Sequence, residues 1–183
     1  MTTPQEKRKI RIKNDYQEML NIKGKIVSWQ AIDGEAPYIE AYNLAVNIRT
    51  IISPKPEYRD SHIIIVKLLP NYPQAAPLIV MQSSPQPYHP NWFTDGRFCS
   101  GTWDFYESLG QHIVRMLRTL QFDPEITNPR SAANQGANAW YLANLKRNRE
   151  WFPCDQQTLP DPTGKKAFEI QIPKPSKKAF RIG

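Results

Sequence analysis

Two short stretches of the chain carry side chains able to do covalent chemistry. Cys99 lies in Gly96-Arg97-Phe98-Cys99-Ser100-Gly101, two residues from an arginine and flanked by glycines. A nearby cation and an open backbone both favour the thiolate, the form of cysteine that attacks carbonyl carbon. Ten residues earlier, His89 stands in Tyr88-His89-Pro90-Asn91. A thiol and an imidazole within reach of each other would make a hydrolase pair. The proline directly after His89 restrains that turn, which favours an imidazole that holds the loop through backbone hydrogen bonds. The other histidines read as packing residues: His62 opens an apolar strand and His112 sits on a helical stripe. Cys154, after Trp151-Phe152-Pro153, reads as a small buried side chain. No cysteines and histidines recur at metal-ligand spacing, so neither a metal site nor a cofactor is expected.

These residues need a scaffold, and its elements are marked in the sequence. Thr3-Pro4-Gln5-Glu6 combines an N-cap, a proline at the first helical position and a capping-box glutamate. The helix it opens carries Ile12, Tyr16, Met19 and Leu20 on one face and is expected to stop near Gly24. Strand-like segments follow at 26–32, 38–52, 63–69 and 78–81, with turns near 33–37, 53–61 and 70–77. They predict a four-stranded antiparallel meander. Residues 83–107 hold no period and are rich in proline, glycine and aromatics, and a loop of that length in a compact domain is usually functional. Ser108 then caps a helix striped with Leu109, His112, Ile113, Met116, Leu117 and Leu120. A further helix is expected from Ser131, with Ala133, Ala137, Trp140 and Tyr141 facing inward. The predicted class is α+β: an N-terminal helix, a four-stranded antiparallel meander, a long active-site loop and C-terminal helices. Residues 1–152 form the expected catalytic domain. Residues 153–183 read as a proline-rich, basic C-terminal extension, in which Phe168, Ile170 and Ile172 have the alternation of an edge strand.

Composition narrows the function classes. With 183 residues, 40% of them hydrophobic, the chain can build one ordinary core, and a disordered or fibrous protein is excluded. No run approaches the ~18 apolar residues of a membrane span, and two cysteines make no disulfide framework. A cytoplasmic protein is expected. The net charge of +7 is concentrated at the ends: five basic residues against one acidic in 1–13, six against one in 164–183. A nucleic-acid binder carries its basic stripe on the folded body, so these ends point instead to docking on an acidic protein surface.

Tyr88-His89-Pro90-Asn91, then Gly96, then Cys99 ten residues after the histidine, resembles the His-Pro-Asn and active-site cysteine signature of ubiquitin-conjugating enzymes. Leu69-Pro70-Asn71-Tyr72-Pro73 with Pro77 is similar to that family's turn before its fourth strand. Asp123-Pro124 and Asn128-Pro129 fall where the family closes one helix and opens the next. The resemblance covers roughly residues 5–150. It implies a transferase whose Cys99 accepts the C-terminus of a ubiquitin-like modifier from an activating enzyme as a thioester. The acyl group would then pass to an amine on a protein substrate or to a ligase. By the same resemblance, Asn91 orders the loop and donates to the oxyanion, and His89 and Pro90 shape that loop. Tyr88 backs it from the core, and Lys7, Arg8, Lys9 and Arg11 form the face that docks on the activating enzyme.

The chain also departs from the family. Trp103 follows the cysteine by four residues rather than about eight, so the segment before the next helix is about four residues short. Asn128 stands where an acidic residue often tunes the incoming lysine, and an amide orients an amine but takes no proton from it. Activation of the acceptor lysine would then fall to desolvation or to a carboxylate such as Asp104 or Glu107, with Asn128 and Asp104 as the candidates to orient it. The departures mark a divergent member, with a prokaryotic conjugation pathway as the expected setting. Two other classes stay open: an inactive binding module of the same fold, and a cysteine hydrolase using His89. Thioester formation separates the transferase from the binding module, and esterase or isopeptidase turnover that is lost in His89→Ala, without thioester transfer, would mark the hydrolase.

Overall fold

A computed structural model describes residues 2–165. Helix α1 spans Pro4–Asn21, and both halves of its capping box form: the Thr3 hydroxyl accepts from the Glu6 N–H, and the Glu6 carboxylate accepts from the Thr3 N–H. Strands β1 (Val27–Asp33), β2 (Ala41–Val46), β5 (His62–Lys67) and β6 (Leu78–Met81) form one antiparallel sheet in the order β1-β2-β5-β6. A separate two-stranded hairpin, β3 (Thr50–Ile51) and β4 (Tyr58–Arg59), is inserted between β2 and β5. Then come α2 (Leu109–Leu120), a 3-10 turn at Pro129–Ser131, α3 (Gln135–Asn144) and a second 3-10 turn at Arg149–Trp151. This is the expected α+β meander, with helices before and after it.

One boundary differs from the expectation. The alternation over 38–52 predicts a single strand, yet the backbone leaves the sheet at residues 47–49. The Asn47 N–H donates to the Ile26 carbonyl (2.8 Å), the Arg49 N–H to Asp155 (2.7 Å), and the Ile48 carbonyl accepts from the His62 ring (2.8 Å). Apolar alternation continues through Ile48, buried like Leu44 and Val46. The ladder partners do not continue with it.

The core lies between the inner face of the sheet (Trp29, Tyr42, Leu44, Ile64, Val66, Ile79) and the apolar stripes of α1 and α2. Burying side chains of this size stabilises the fold by roughly 1.5–3 kcal/mol each. A second cluster of Ile51, Phe122, Tyr141 and Phe152 joins the hairpin to the end of α2 and to α3. The predicted face of α1 is realised at Ile12 and Met19, whereas Leu20 is 38% exposed and Asp15 is buried. Beyond the expected boundary at residue 152, the chain is still laid along the body. The Cys154 N–H donates to the Gln121 carbonyl (2.8 Å), Asn21 Nδ2 to the Pro162 carbonyl (2.7 Å), and Leu159 packs on the main core. Phe168, Ile170 and Ile172 lie outside the described residues, as does most of the basic C-terminal stretch. Among the described residues no helix is long and apolar enough to cross a membrane.

Candidate active site

The loop carrying the signature is fastened at each of its four residues. The Tyr88 N–H donates to the Ile51 carbonyl (2.9 Å), and its ring packs edge-on against Trp140 of α3, with centroids 5.6 Å apart. The Pro90 carbonyl accepts from the N–H groups of Ala133 (2.8 Å) and Asn134 (3.2 Å), which lead into α3. His89 is wholly buried against the Phe122 ring, 4.5 Å between centroids. Its Nδ1 accepts the Asn91 N–H (2.9 Å), which puts the ring proton on Nε2, 3.3 Å from the Thr127 hydroxyl. That hydroxyl donates onward to the Asp123 carbonyl (3.1 Å). A histidine whose lone pair already holds a backbone N–H inside the core is not a general base for a thiol. The geometry gives the hydrolase reading no support.

Burial pushes the His89 imidazole down to about 3 and that of His62 down to about 4. Both stay neutral in the folded state, while in the unfolded chain they take up a proton near pH 6.5. A depressed histidine pKa means the unfolded state binds more protons, so stability falls as pH drops below 6.5. Between pH 6.5 and pH 5 the loss from the two together is expected to be on the order of 3 kcal/mol. Denaturant midpoints at the two pH values measure it, and His89→Gln should roughly halve the difference.

Asn91 joins this loop to the cysteine. Its backbone carbonyl accepts the Cys99 N–H (2.8 Å) and its Nδ2 donates to the Cys99 carbonyl (3.2 Å). Its Oδ1 lies 3.5 Å from the Asn128 N–H. Asn128 itself is exposed and caps the 3-10 turn through its side-chain oxygen, which accepts from the Arg130 N–H (3.1 Å). The approach to Cys99 depends on Gly96. Its φ is +87°, and a Cβ there would stand 2.7 Å from the Met81 carbonyl. Only glycine fits both demands. The tight turn lets Arg97 bridge to Val80 and Phe98 to Trp92, and leaves Cys99 half-exposed at the end of the bridged segment.

Three electrostatic expectations change. The Arg97 guanidinium is engaged by Asp95 (2.7 Å) and lies over the Phe93 ring, so the cation two residues from the thiol is directed elsewhere. Glu107 is held by Arg115 of α2 (2.5 and 2.9 Å) and His112 (3.1 Å), which removes it as a free carboxylate for an incoming amine. Asp104 remains exposed, with its carboxylate accepting the Tyr106 N–H (2.9 Å). Of the four basic residues expected to form a docking face, Lys7 and Lys9 have no acidic partner among the described residues. Arg8 makes a two-pronged pair with Glu40 (2.8 and 2.9 Å). Arg11 pairs with Asp15 (2.9 Å) and donates to the Phe105 carbonyl (2.6 Å) and to that of Glu107. Cations in the first turns of a helix oppose its dipole, and here partners distant in sequence explain two of them.

Sequence reading missed Arg115, Asp15 and the hydrogen bond from the Trp103 indole to the Pro73 carbonyl (2.8 Å). The Glu107 and Ser100 partners of Arg115, the Pro73 partner of Trp103 and the Tyr72 and Leu109 partners of Asp15 lie at least eight residues away and leave no local signal, whereas the Arg11–Asp15 pair is a local i, i+4 spacing. Cys154, expected to be buried, is partly buried, packed against the cluster of Ile51, Phe122, Tyr141 and Phe152. Burial pushes its thiol up to about 12, so at pH 8 it stays protonated and unreactive. Iodoacetamide at pH 8 should therefore modify Cys99 well before Cys154, as read by peptide mass, and Cys154→Ser should leave any activity intact.

Solved structures of ubiquitin-conjugating enzymes share this fold, among them the following two. One is described as a novel ubiquitin-conjugating enzyme and is 12% identical, with 79% of this chain and 89% of that one covered at a TM-score of 0.51. The other is S. cerevisiae Ubc12, 18% identical, with 79% of this chain and 76% of that one covered at a TM-score of 0.56. The fold is that of the ubiquitin-conjugating enzymes. No protein-family model matches the chain, and no curated protein matches it in sequence. On the ubiquitin-conjugating fold, the loop from Tyr88 to Cys99 runs from the β3 edge to the face of α2. The residues following the cysteine are anchored to both long helices.

Proposed function

We propose that the chain is a cysteine acyltransferase of the ubiquitin-conjugating type. The observation that carries this reading is the position of Cys99: half-exposed, with its own N–H and C=O both bonded to Asn91, on a fold shared with conjugating enzymes. In the loading step the Cys99 thiolate attacks the carbonyl carbon of the thioester that joins a ubiquitin-like modifier to its activating enzyme. The C–S bond to the activating enzyme breaks, its thiolate departs, and the modifier is left on Cys99. In transfer, a neutral amine of a protein substrate attacks that thioester, loses a proton to solvent or a base, and expels the Cys99 thiolate. A ligase cysteine can replace the amine as acceptor. Thioester aminolysis needs a positioned, deprotonated amine and little else.

One amide hydrogen of Asn91 is taken by the Cys99 carbonyl, and the second is free to meet an oxyanion as it forms. Asn91→Ala should slow transfer to an amine about 100-fold, the usual effect of losing one such donor, and slow loading less than ten-fold. Single-turnover chase of preloaded protein separates the steps, and equal losses in both would make Asn91 purely structural. Lys7 and Lys9 remain as the basic residues of α1 for docking on an acidic activating enzyme. Asn128 and Asp104 remain candidates to orient the acceptor amine. A cytoplasmic, prokaryotic setting fits this reading.

The reading is tested by incubating the protein with a candidate activating enzyme, ATP and modifier, then comparing reducing and non-reducing gels. A thiol-sensitive adduct on the wild type that is absent from Cys99→Ala is expected. A wild type that binds modifier without forming that adduct would favour the binding module.

A further inference from the structure

The segment after the cysteine is short, and two arginines fasten it. At its far end Arg11 of α1 holds the carbonyls of Phe105 and Glu107. At its near end Arg115 of α2 donates Nη1 to the Ser100 carbonyl at 2.6 Å, while its Nε and Nη2 grip the Glu107 carboxylate. Burial pushes the Glu107 carboxyl up, but its hydrogen bonds to His112 and then Arg115 hold it below its ordinary pKa. One guanidinium thus bridges the residue next to Cys99 and the residue next to the Ser108 helix cap. Arg115 is about two-thirds buried, and the Trp103 and Phe98 rings pack on the neighbouring His112 at 4.9 and 5.9 Å.

From this geometry we infer that Arg115 is the positioning residue for Cys99. The backbone on either side of the sulfur is held at successive points: the Phe98 N–H by Ile79 (3.0 Å), the Cys99 N–H and C=O by Asn91, and the Ser100 C=O by Arg115. Asn91 holds the Cys99 backbone from the loop side, and Arg115 holds the adjoining Ser100 carbonyl from the helix side. The planar guanidinium suits this task, because its fork binds a carboxylate with two donors and leaves a third for the carbonyl. The catalytic part of this inference rests on the acyltransferase reading; the clamp itself does not.

Three measurements on Arg115→Met and Arg115→Lys test it. Single-turnover transfer from preloaded Cys99 should fall about ten-fold or more in Arg115→Met, since small displacements of a reacting atom have effects of that size. The concentration of activating enzyme needed for half-maximal loading should stay within about two-fold, and lysine should restore part of the transfer rate. Hydrogen exchange at the Cys99 amide should accelerate about ten-fold or more in Arg115→Met, with the β2 amides unchanged. A purely structural role predicts a lower melting temperature with uniform exchange, and unaltered transfer per folded molecule. Transfer within about two-fold of wild type, or unchanged exchange at Cys99, overturns the inference. If the wild type never loads, the acyltransferase reading fails, and the exchange arm alone decides whether Arg115 holds the cysteine.

Discussion

Cys99→Ala is expected to abolish thioester formation outright while the protein stays folded. The thiol is half-exposed at the end of a loop, so removing its sulfur uncovers little apolar surface and leaves no sealed cavity. The expected loss of stability is below about 2 kcal/mol, well under that of a large-to-small change in a close-packed core. Loading, in contrast, has no alternative nucleophile. Cys154 is held protonated by burial, with its sulfur 3.2 Å from the Arg49 carbonyl. Denaturant unfolding and a loading assay on the same preparation give both numbers. A stability loss well above ~2 kcal/mol would show that Cys99 is a packing residue.

The second large effect is structural and falls on Asp15. This carboxylate is 1% exposed and is held from three sides. Arg11 Nε donates to both oxygens (2.9 and 3.0 Å), the Tyr72 hydroxyl donates at 2.6 Å and the Leu109 N–H at 2.9 Å. It therefore ties α1 to the turn before β6 and to the first residue of α2. Burial and the neighbouring carboxylate push the Tyr72 phenol up, keeping it a donor. Asp15→Ala leaves a largely buried guanidinium, a buried hydroxyl and a helix N–H without their partner. Breaking a buried pair in this way costs roughly 3–5 kcal/mol, a large share of the stability of an ordinary domain. The midpoint of urea unfolding should fall accordingly, and Asp15→Asn should lose less. A change below about 1 kcal/mol would contradict the role given to this residue.

The two helices that open and follow the meander were legible because their signals are local. Thr3-Pro4-Gln5-Glu6 and Ser108 with Gln111 each carry both partners of a capping box within one turn. The Tyr88–Asn91 turn and its spacing to Cys99 are likewise short-range, and they sit together in the fold. What the sequence hid depends on distant partners. The strand over 38–52 breaks because Asp155 and His62 capture its backbone, and no apolar pattern records that. Arg8 read as free charge because Glu40 lies 32 residues away; Arg11 pairs with Asp15 within one helical turn, but the Phe105 and Glu107 carbonyls that complete its contacts lie 94 and 96 residues off. Arg115 was invisible for the same reason: its partners are the carbonyl at 100 and the carboxylate at 107.

The most direct test of acyl transfer at Cys99 works with whichever modifier the cell supplies. Tagged Cys99→Ser, Cys99→Ala and wild type are expressed in the source organism, purified, and weighed intact with and without alkaline hydroxylamine, which cleaves esters as well as thioesters. A serine at an acyl-transfer site holds the acyl group as a slower-reacting ester. An adduct on Cys99→Ser that hydroxylamine removes, absent from Cys99→Ala, is the expected result, and its mass identifies the modifier. The same adduct on Cys99→Ala, or none on any variant together with a wild type that gains no thiol-labile mass, would contradict the account.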